Sequence, residues 1–341
     1  MSHRLINTAS LGVVVLAAGA LAACSSSPST PASGSTSSTS STSSGAGKTM
    51  ELIVGTSSDD FYVTMECGAE QEASKLGVKL TVTGPATFSV PEQKPLIDDA
   101  VVTRPDALLV APTDSAALDS DLTKVQNTGT KLVFVDTSAS DTSLGVSRIS
   151  SDNAAGGKLA ADTLGQELGG KGTVAVISVA KGVSTTDARV QGFEQEMASK
   201  YPGIKLLAEQ NDDPDSVTVA SSYIESDITA NPNLNGVFAA NVITAEGVGS
   251  GVQHAGKSGK INVATFDADP QQMTMLKNGT INIAIAQEPA VEGADAVEQG
   301  LDAIEGKTVT ANIATPLIAI TKSNMNESSI SQYVYASSCN G

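Results

Sequence analysis

Two stretches of this chain repeat one another. Residues 68–80 read GAEQEASKLGVKL and residues 192–206 read GFEQEMASKYPGIKL, so that Gly-x-Glu-Gln-Glu, then Ser-Lys, then Gly-[Val/Ile]-Lys-Leu recurs 124 residues further on. Each copy reads as a helix running into a strand. Each also sits within a longer alternation of short β-branched apolar runs and amphipathic helical patterns, the signature of a parallel sheet covered on both faces. The strand candidates are 51–55, 78–83, 107–110, 131–135, 173–178, 204–208, 235–239, 261–266 and 281–285. The fold class expected is therefore α/β, with two similar lobes. A length of 341 residues, set against roughly 150 per domain, agrees. In both copies a later strand ends in an acid, as in Leu132-Val133-Phe134-Val135-Asp136 and Val263-Ala264-Thr265-Phe266-Asp267. Ligands of open α/β sheets bind outside the carboxyl ends of the strands, so these acids are the first functional candidates.

Charge and composition exclude several classes. The chain has 37 acidic and 20 basic side chains, a formal net charge of −17, and no basic run, which argues against a nucleic-acid partner. Histidine occurs only at His3 and His254, so the mature chain has no histidine pair for a metal site, and any Ser-His-Asp arrangement would depend on His254 alone. No G-x-S-x-G elbow is present either, so no enzyme, no metal and no cofactor are expected. Gly251-Val252-Gln253-His254-Ala255-Gly256-Lys257-Ser258 matches the phosphate-loop pattern G-x-x-x-x-G-K-[ST]. Its context is reversed, however, because it begins inside a predicted helix at 243–254 and runs into a strand. A phosphate loop must follow a strand and open a helix. Gly256 reads instead as a helix-terminating turn with Lys257 solvated. Asp98-Asp99 and Asp212-Asp213 read as solvated surface acids.

The first residues are a targeting signal. Arg4 precedes an apolar stretch from Leu11 to Ala23, shorter than the ~20 residues that span a bilayer and of secretory length. Its end, Leu21-Ala22-Ala23-Cys24, resembles a bacterial lipobox, in which the cysteine is lipidated and becomes the new N-terminus. Residues 1–23 are thus a lipoprotein signal peptide. Residues 24–48, nearly all Ser, Thr, Gly, Pro and Ala, form a disordered tether with a reach of roughly 25–30 Å. The protein is expected on the extracytoplasmic face of a bacterial membrane, held through Cys24. The two remaining cysteines, Cys67 and Cys339, are expected to form a disulfide tying the tail to the first helix, because an even count in an exported chain favours pairing. Two unrelated thiols are the alternative.

Several strand-end segments carry a family resemblance. Ser58-Asp59-Asp60-Phe61-Tyr62, Val135-Asp136-Thr137, Ser151-Asp152-Asn153-Ala154-Ala155-Gly156-Gly157, Ala239-Ala240-Asn241, Thr265-Phe266-Asp267 and Ala286-Gln287-Glu288-Pro289 resemble, in order and spacing, the ribose/galactose type of periplasmic sugar-binding proteins. The resemblance runs from about residue 50 to 322. It implies the type I solute receptor of an ATP-binding-cassette importer, a monomer whose two Rossmann-like lobes are joined by a three-strand hinge and close around one small ligand. The implied lobes are 49–150 plus 288–314 and 151–287 plus 315–327, with 328–341 a tail tied to the first lobe. Hinge crossings fall near 149–151, 286–289 and 313–317.

Carried over by position, the implied ligand residues are Asp59, Phe61, Tyr62, Asp136, Thr137, Ser151, Arg189, Asn241, Asp267 and Gln287. Carboxylates and amides supply acceptors, and one arginine a planar fork of donors, for a ligand rich in hydroxyls. Phe61 and Tyr62 would offer an apolar face to its C–H side. Two departures concern specificity. Thr137 stands where ribose binders place an arginine, and Pro214 lies in the region of their second stacking phenylalanine. The expected ligand is a monosaccharide or an acyclic sugar alcohol of four to six carbons, and the expected partners are that solute and a membrane permease. A receptor that signals to a membrane kinase, and a non-sugar ligand such as a nucleoside, are the alternatives.

Overall fold

The computed structural model describes residues 45–212 and 215–339. The signal segment, Cys24, the tether up to residue 44, Asp213 and Pro214 lie outside the described residues, while residues 45–48, expected in the disordered tether, instead form a turn docked on the body through the Gly45 amide, which donates to Leu76 O at 3.0 Å.

The chain begins with β1 (Thr49–Ile53), α1 (Asp60–Leu76), β2 (Lys79–Thr83), α2 (Val90–Thr103), β3 (Ala107–Val110), α3 (Asp119–Asn127), β4 (Lys131–Val135) and β5 (Ser147–Ser151). There follow α4 (Asn153–Glu167), β6 (Gly172–Val179), α5 (Ser184–Lys200), β7 (Ile204–Leu206), β8 (Gln210–Asp212), α6 (Val217–Ala230) and β9 (Leu234–Ala239). The last part comprises α7 (Val242–His254), β10 (Asn262–Phe266), α8 (Pro270–Asn278), β11 (Ile283–Ala286), α9 (Pro289–Ile304), β12 (Asn312–Thr315) and β13 (Ile318–Thr321).

The strands make two sheets. One runs β12-β5-β4-β3-β1-β2 and is parallel throughout, while the other runs β13-β11-β10-β9-β6-β7, with β8 also on β6 and only the β11–β13 pair antiparallel. The orders correspond, so that β1 matches β6, β4 matches β10 and α1 matches α5. The sequence repeat is thus one lobe plan used twice. Central strands such as β3 (ALLV) and β11 (IAIA) are buried along their whole length, as a sheet covered on both faces requires. On the first sheet, one core gathers side chains of α1 and α9 and the opposite core those of α2 and α3. On the second, α4 and α5 cover one face and α6, α7 and α8 the other.

The chain passes between the sheets after Ser151, after Ala286 and between Thr315 and Ile318. Helix α4 therefore belongs to the second lobe although it follows β5, and α9 to the first although it follows β11. Strands β5, β12 and β13 were not among the sequence candidates. SRISS, NIAT and IAIT are short, and the first two are polar, because they sit at or near sheet edges and only part of each is buried.

In each lobe two helices cross at a glycine. A Cβ on Gly68 of α1 would lie 2.0 Å from the carbonyl oxygen of Ala290 in α9, and one on Gly157 of α4 would lie 2.0 Å from that of Arg189 in α5. Both obstacles are backbone, so the helices would have to part. Gly157→Ala is expected to destabilise by about 1–3 kcal/mol through overpacking, seen as a lower urea midpoint at unchanged slope. An unchanged midpoint would mean that the crossing is loose.

The phosphate-loop look-alike lies at the end of α7, where Gly256 adopts φ +64° and the Lys257 amide donates to Val252 O at 3.0 Å, a helix-terminating turn. Asp98 and Asp99 are exposed on α2. Asp212 corrects the expectation of a solvated acid. It is fully buried at the end of β8, with the Thr244 hydroxyl 3.5 Å from both of its oxygens. The parallel pairing of β8 with β6 carries this acid inward, which its acidic neighbours in sequence conceal.

Cys67 and Cys339 are joined by a disulfide, with Cα atoms 5.0 Å apart. Among the described residues, no group of three or more His, Cys, Asp or Glu side chains is placed to hold a metal ion, and no helix is long and apolar enough to cross a membrane.

Candidate ligand-binding site

A cavity lies between the carboxyl ends of the two sheets, with about 470 Å³ of empty space, part of it continuous with solvent. From the first lobe it is lined by Thr56, Asp59, Phe61, Tyr62, Phe88 and Asp136. From the second come Val179, Val183, Thr185, Thr186, Arg189, Asp215, Asn241, Asp267 and Gln287.

The repeat places matching acids on opposite walls. Asp136 follows β4 and Asp267 follows β10, each in the left-handed region (φ +62° and +76°), and the backbone N–H of each donates 2.8 Å to the next strand, at Ile149 O and Ile285 O. Non-glycine residues rarely occupy this region, and where they do, function is a common reason. Each acid also accepts from a phenol: Tyr62 Oη to Asp136 Oδ2 at 2.6 Å, and Tyr335 Oη to Asp267 Oδ1 at 2.8 Å. Burial, followed by the adjoining carboxylate, holds both phenols well above the usual tyrosine range, so they remain donors.

Arg189 ties the second lobe together from α5. Nε donates to Asn153 Oδ1 at 2.7 Å, Nη1 to Ala240 O at 2.9 Å and Nη2 to Gln287 Oε1 at 3.0 Å, while Asp267 Oδ2 lies 3.7 Å from Nη1. The guanidinium rests 4.2 Å from the ring centroid of Phe266, a cation–π contact. Gln287 in turn donates to Asp267 Oδ1 at 2.5 Å. These contacts orient the carboxylate and amide before any ligand arrives.

Asp59, Asp215 and Asn241 sit at or just before helix starts. Asp59 caps α1, accepting from the Phe61 amide at 2.8 Å, and Asn241 caps α7, accepting from the Thr244 amide at 3.0 Å. The Asn241 amide donates to Asp215 Oδ2 at 2.8 Å, whereas Asp215 Oδ1 is buried with no hydrogen-bond partner among the described residues. Burial, then the charge of Asp267, raises the Asp59 carboxyl well above the carboxylate range, although the residue is only half-buried. Burial, then Asp212, pushes Asp215 up to about 7. For Asp136 burial again leads, and with Arg189 and the Tyr62 hydroxyl opposing it, the carboxyl rests at about 6. Four acids thus face one arginine.

Eight of the ten residues named from sequence line this cavity: Asp59, Phe61, Tyr62, Asp136, Arg189, Asn241, Asp267 and Gln287. Two do not, and are corrected. Thr137 is 1 % exposed and its hydroxyl donates to Pro112 O at 2.8 Å, because the turn after Asp136 aims it back into the first lobe. Ser151 lies in the hinge, donating to Glu292 Oε1 at 2.7 Å. Sequence reading missed Thr56, Phe88, Val179, Val183, Thr185, Thr186 and Asp215. A usable signal existed for Thr185, Thr186 and Asp215, which sit at or before the helix starts that follow β6 and β8.

A body of two α/β lobes joined by three chain crossings, with a cavity walled by the carboxyl ends of both sheets, is a bilobal solute-binding protein. Residues 50–308 match the periplasmic binding protein domain family, and the chain belongs to that family. It is 31% identical over 277 residues to the ribose import binding protein of Escherichia coli strain K12, covering 81% of this chain and 92% of that one. It is 30% identical over 260 residues to the D-allose-binding periplasmic protein of the same strain, covering 74% and 83%. Among solved structures, it is similar to an ABC transporter solute-binding protein from Agrobacterium vitis bound with α-D-tagatopyranose. That match has a TM-score of 0.83 at 38% identity and covers 85% of this chain and 99% of the other. A carbohydrate transporter solute-binding protein from Agrobacterium radiobacter in complex with D-arabinose matches with a TM-score of 0.80 at 29% identity, over 84% and 98%. These relatives bind and carry solutes; the chain is a binding protein and not an enzyme.

Proposed function

We propose that this protein is the lipid-anchored sugar receptor of an ATP-binding-cassette importer, closing its two lobes around a monosaccharide or a four- to six-carbon sugar alcohol. The observation that carries the reading is the make-up of the cavity. Acids, amides and one arginine from the carboxyl ends of both sheets offer fixed partners to several hydroxyls at once. Phe61, Tyr62 and Phe88 all belong to the first lobe, facing Val179, Val183 and two threonines from the second, so a ring would be covered by aromatic side chains on one side only. This favours a ligand less flat than a pyranose held between two rings. Contacts to both lobes favour the closed form, and only a ligand with such differential affinity shifts the population. Anchoring through Cys24 and hand-over of the closed form to a permease complete the proposal.

The test is a thermal-shift panel on the purified protein with D-tagatose, D-arabinose, D-ribose, D-allose, C4–C6 sugar alcohols, nucleosides and amino acids. A ligand at 100 times its Kd adds about 2.7 kcal/mol and raises the midpoint by several degrees. The expected response is confined to one stereochemical series of sugars or polyols. A response to nucleosides or amino acids alone would overturn the ligand class.

A further inference from the structure

The C-terminal segment does more than end the chain. Ile330 is buried in the core of the second lobe, beside α7 and α8. Five residues later, Tyr335 reaches both lobes. Its amide donates to Ala268 O at 3.1 Å and its hydroxyl to Asp267 Oδ1 at 2.8 Å, both in the second lobe, while its ring meets Phe61 of the first edge-to-face at 5.7 Å. From there the segment lies along α1. The Ala336 amide donates to Thr64 Oγ1 at 2.8 Å, Ser337 Oγ donates to Asp60 Oδ2 at 2.9 Å, and Cys339 is bonded to Cys67. Every one of these first-lobe anchors is on the helix whose start presents Asp59, Phe61 and Tyr62 to the cavity. Tyr335 itself is 3 % exposed and is not among the residues lining the cavity.

We infer that residues 330–339 are a covalently fastened strap that joins the two lobes beside the cleft, and that Tyr335 is a positioning residue which aims Asp267 at the ligand. Asp267 has two donors on one oxygen, Gln287 from within its own lobe and Tyr335 from the strap. With Oδ1 held twice, Oδ2 is directed towards Arg189 and the cavity. On the opposite wall Tyr62 does the same for Asp136 from within α1. The difference is that Tyr335 is brought in from another part of the chain, and the Cys67–Cys339 bond keeps it there. The inference rests on the reading of the cavity as the ligand site.

The experiment is calorimetric titration at 25 °C with D-tagatose, D-arabinose, D-ribose and D-allose. The proteins compared are wild type, Tyr335→Phe, Asp267→Asn, their double variant and Cys67→Ser/Cys339→Ser. Tyr335→Phe keeps the ring against Phe61 and removes only the hydroxyl; loss of a hydrogen bond to a charged group should weaken affinity about 10-fold. In the Asp267→Asn background the same change should cost little further affinity, because coupled residues are not additive. Freeing the strap in the double serine variant should raise Kd roughly threefold if the strap then docks about a third of the time. A purely structural role would lower the thermal midpoint and leave Kd at 25 °C unchanged. That result, or full additivity of Tyr335→Phe and Asp267→Asn, overturns the inference.

If none of the four sugars binds wild type, the titration is run with the ligand that the thermal-shift panel finds, and the strap is judged by hydrogen exchange without ligand. Amides at 60–64 and 267–269 should lose protection together in the double serine variant while β4 keeps its own. Unchanged protection in both segments overturns the strap.

Discussion

Replacing Arg189 by methionine is expected to abolish measurable ligand binding and to lower stability by about 3–5 kcal/mol, the usual cost of removing one partner from a buried charge network. Methionine fills much of the space but donates nothing. Its introduction leaves Asn153 Oδ1, the Ala240 carbonyl and Gln287 Oε1 each short of a donor, and Asp267 without its cation. Arg189 also restrains two further acids, since its charge opposes the burial that raises Asp136 and Glu292. Without it both would hold their protons to higher pH. The destabilisation should therefore be larger at pH 8 than at pH 5, where protonation relieves the uncompensated charge. Urea unfolding at the two values, with calorimetry on any ligand found in the panel, decides the matter. Wild-type stability with retained binding would remove Arg189 from the centre of the site.

The second large effect is a fall in stability as pH rises, centred on the hinge. Glu292, fully buried on α9, accepts from the Ser151 and Thr315 hydroxyls at 2.7 and 2.8 Å through Oε1. Its Oε2 is buried with no partner among the described residues. One carboxyl group thus joins strands β5 and β12, where the chain leaves the first lobe, to the helix entered at the second crossing. Burial, then the charge of Asp136, pushes it from 4.5 up to about 8, with the two hydroxyls and Arg189 opposing. The folded form therefore holds this proton more tightly than the unfolded chain does. The resulting stability is fully present below pH 4.5 and is lost as pH rises through 8.

Asp136 at about 6 and Asp215 at about 7 shift in the same direction. At roughly 1.4 kcal/mol per pH unit and group, the difference between pH 5 and 9 should reach several kcal/mol. The ligand-free protein should give its highest urea midpoint near pH 5. Glu292→Gln, neutral and of the same shape, should flatten the profile while keeping the acceptor for both hydroxyls. A wild-type midpoint equal at pH 5 and 9, or a Gln variant with the wild-type slope, would show that Glu292 ionises freely in the fold.

Both effects depend on groups that the chain reveals unequally. Asp136 and Asp267 were legible because each closes a run of apolar β-formers, and such positions in parallel sheets face ligands. Arg189, Asn241 and Gln287 were reached by resemblance, as nothing in their local pattern distinguishes them from surface residues on a helix or loop. Thr137 stands beside the cavity residue Asp136 in sequence and Ser151 ends a strand, yet both point elsewhere. Whether a strand-end side chain enters the cleft depends on where its hydroxyl finds an acceptor, and here these are the Pro112 carbonyl and Glu292. Asp212 shows the converse, an acid in an acidic stretch that a short edge strand carries into the interior.

The sequence by itself determined the architecture. A duplicated helix–strand unit, alternating with apolar runs that can be buried only in a sheet covered on both faces, leaves two α/β lobes as the arrangement that satisfies hydrogen bonds and buries the apolar surface. It also determined the acids that cap the equivalent strands. Tertiary structure alone decided which polar groups far apart in the chain meet. Tyr335 and Asp267 are 68 residues apart, and the two bonded cysteines 272. Ser151, Glu292 and Thr315 meet because three separate crossings converge at one hinge. Periodicity describes each element's own faces. The partners of a buried polar group are set by where other elements, distant in the chain, come to rest.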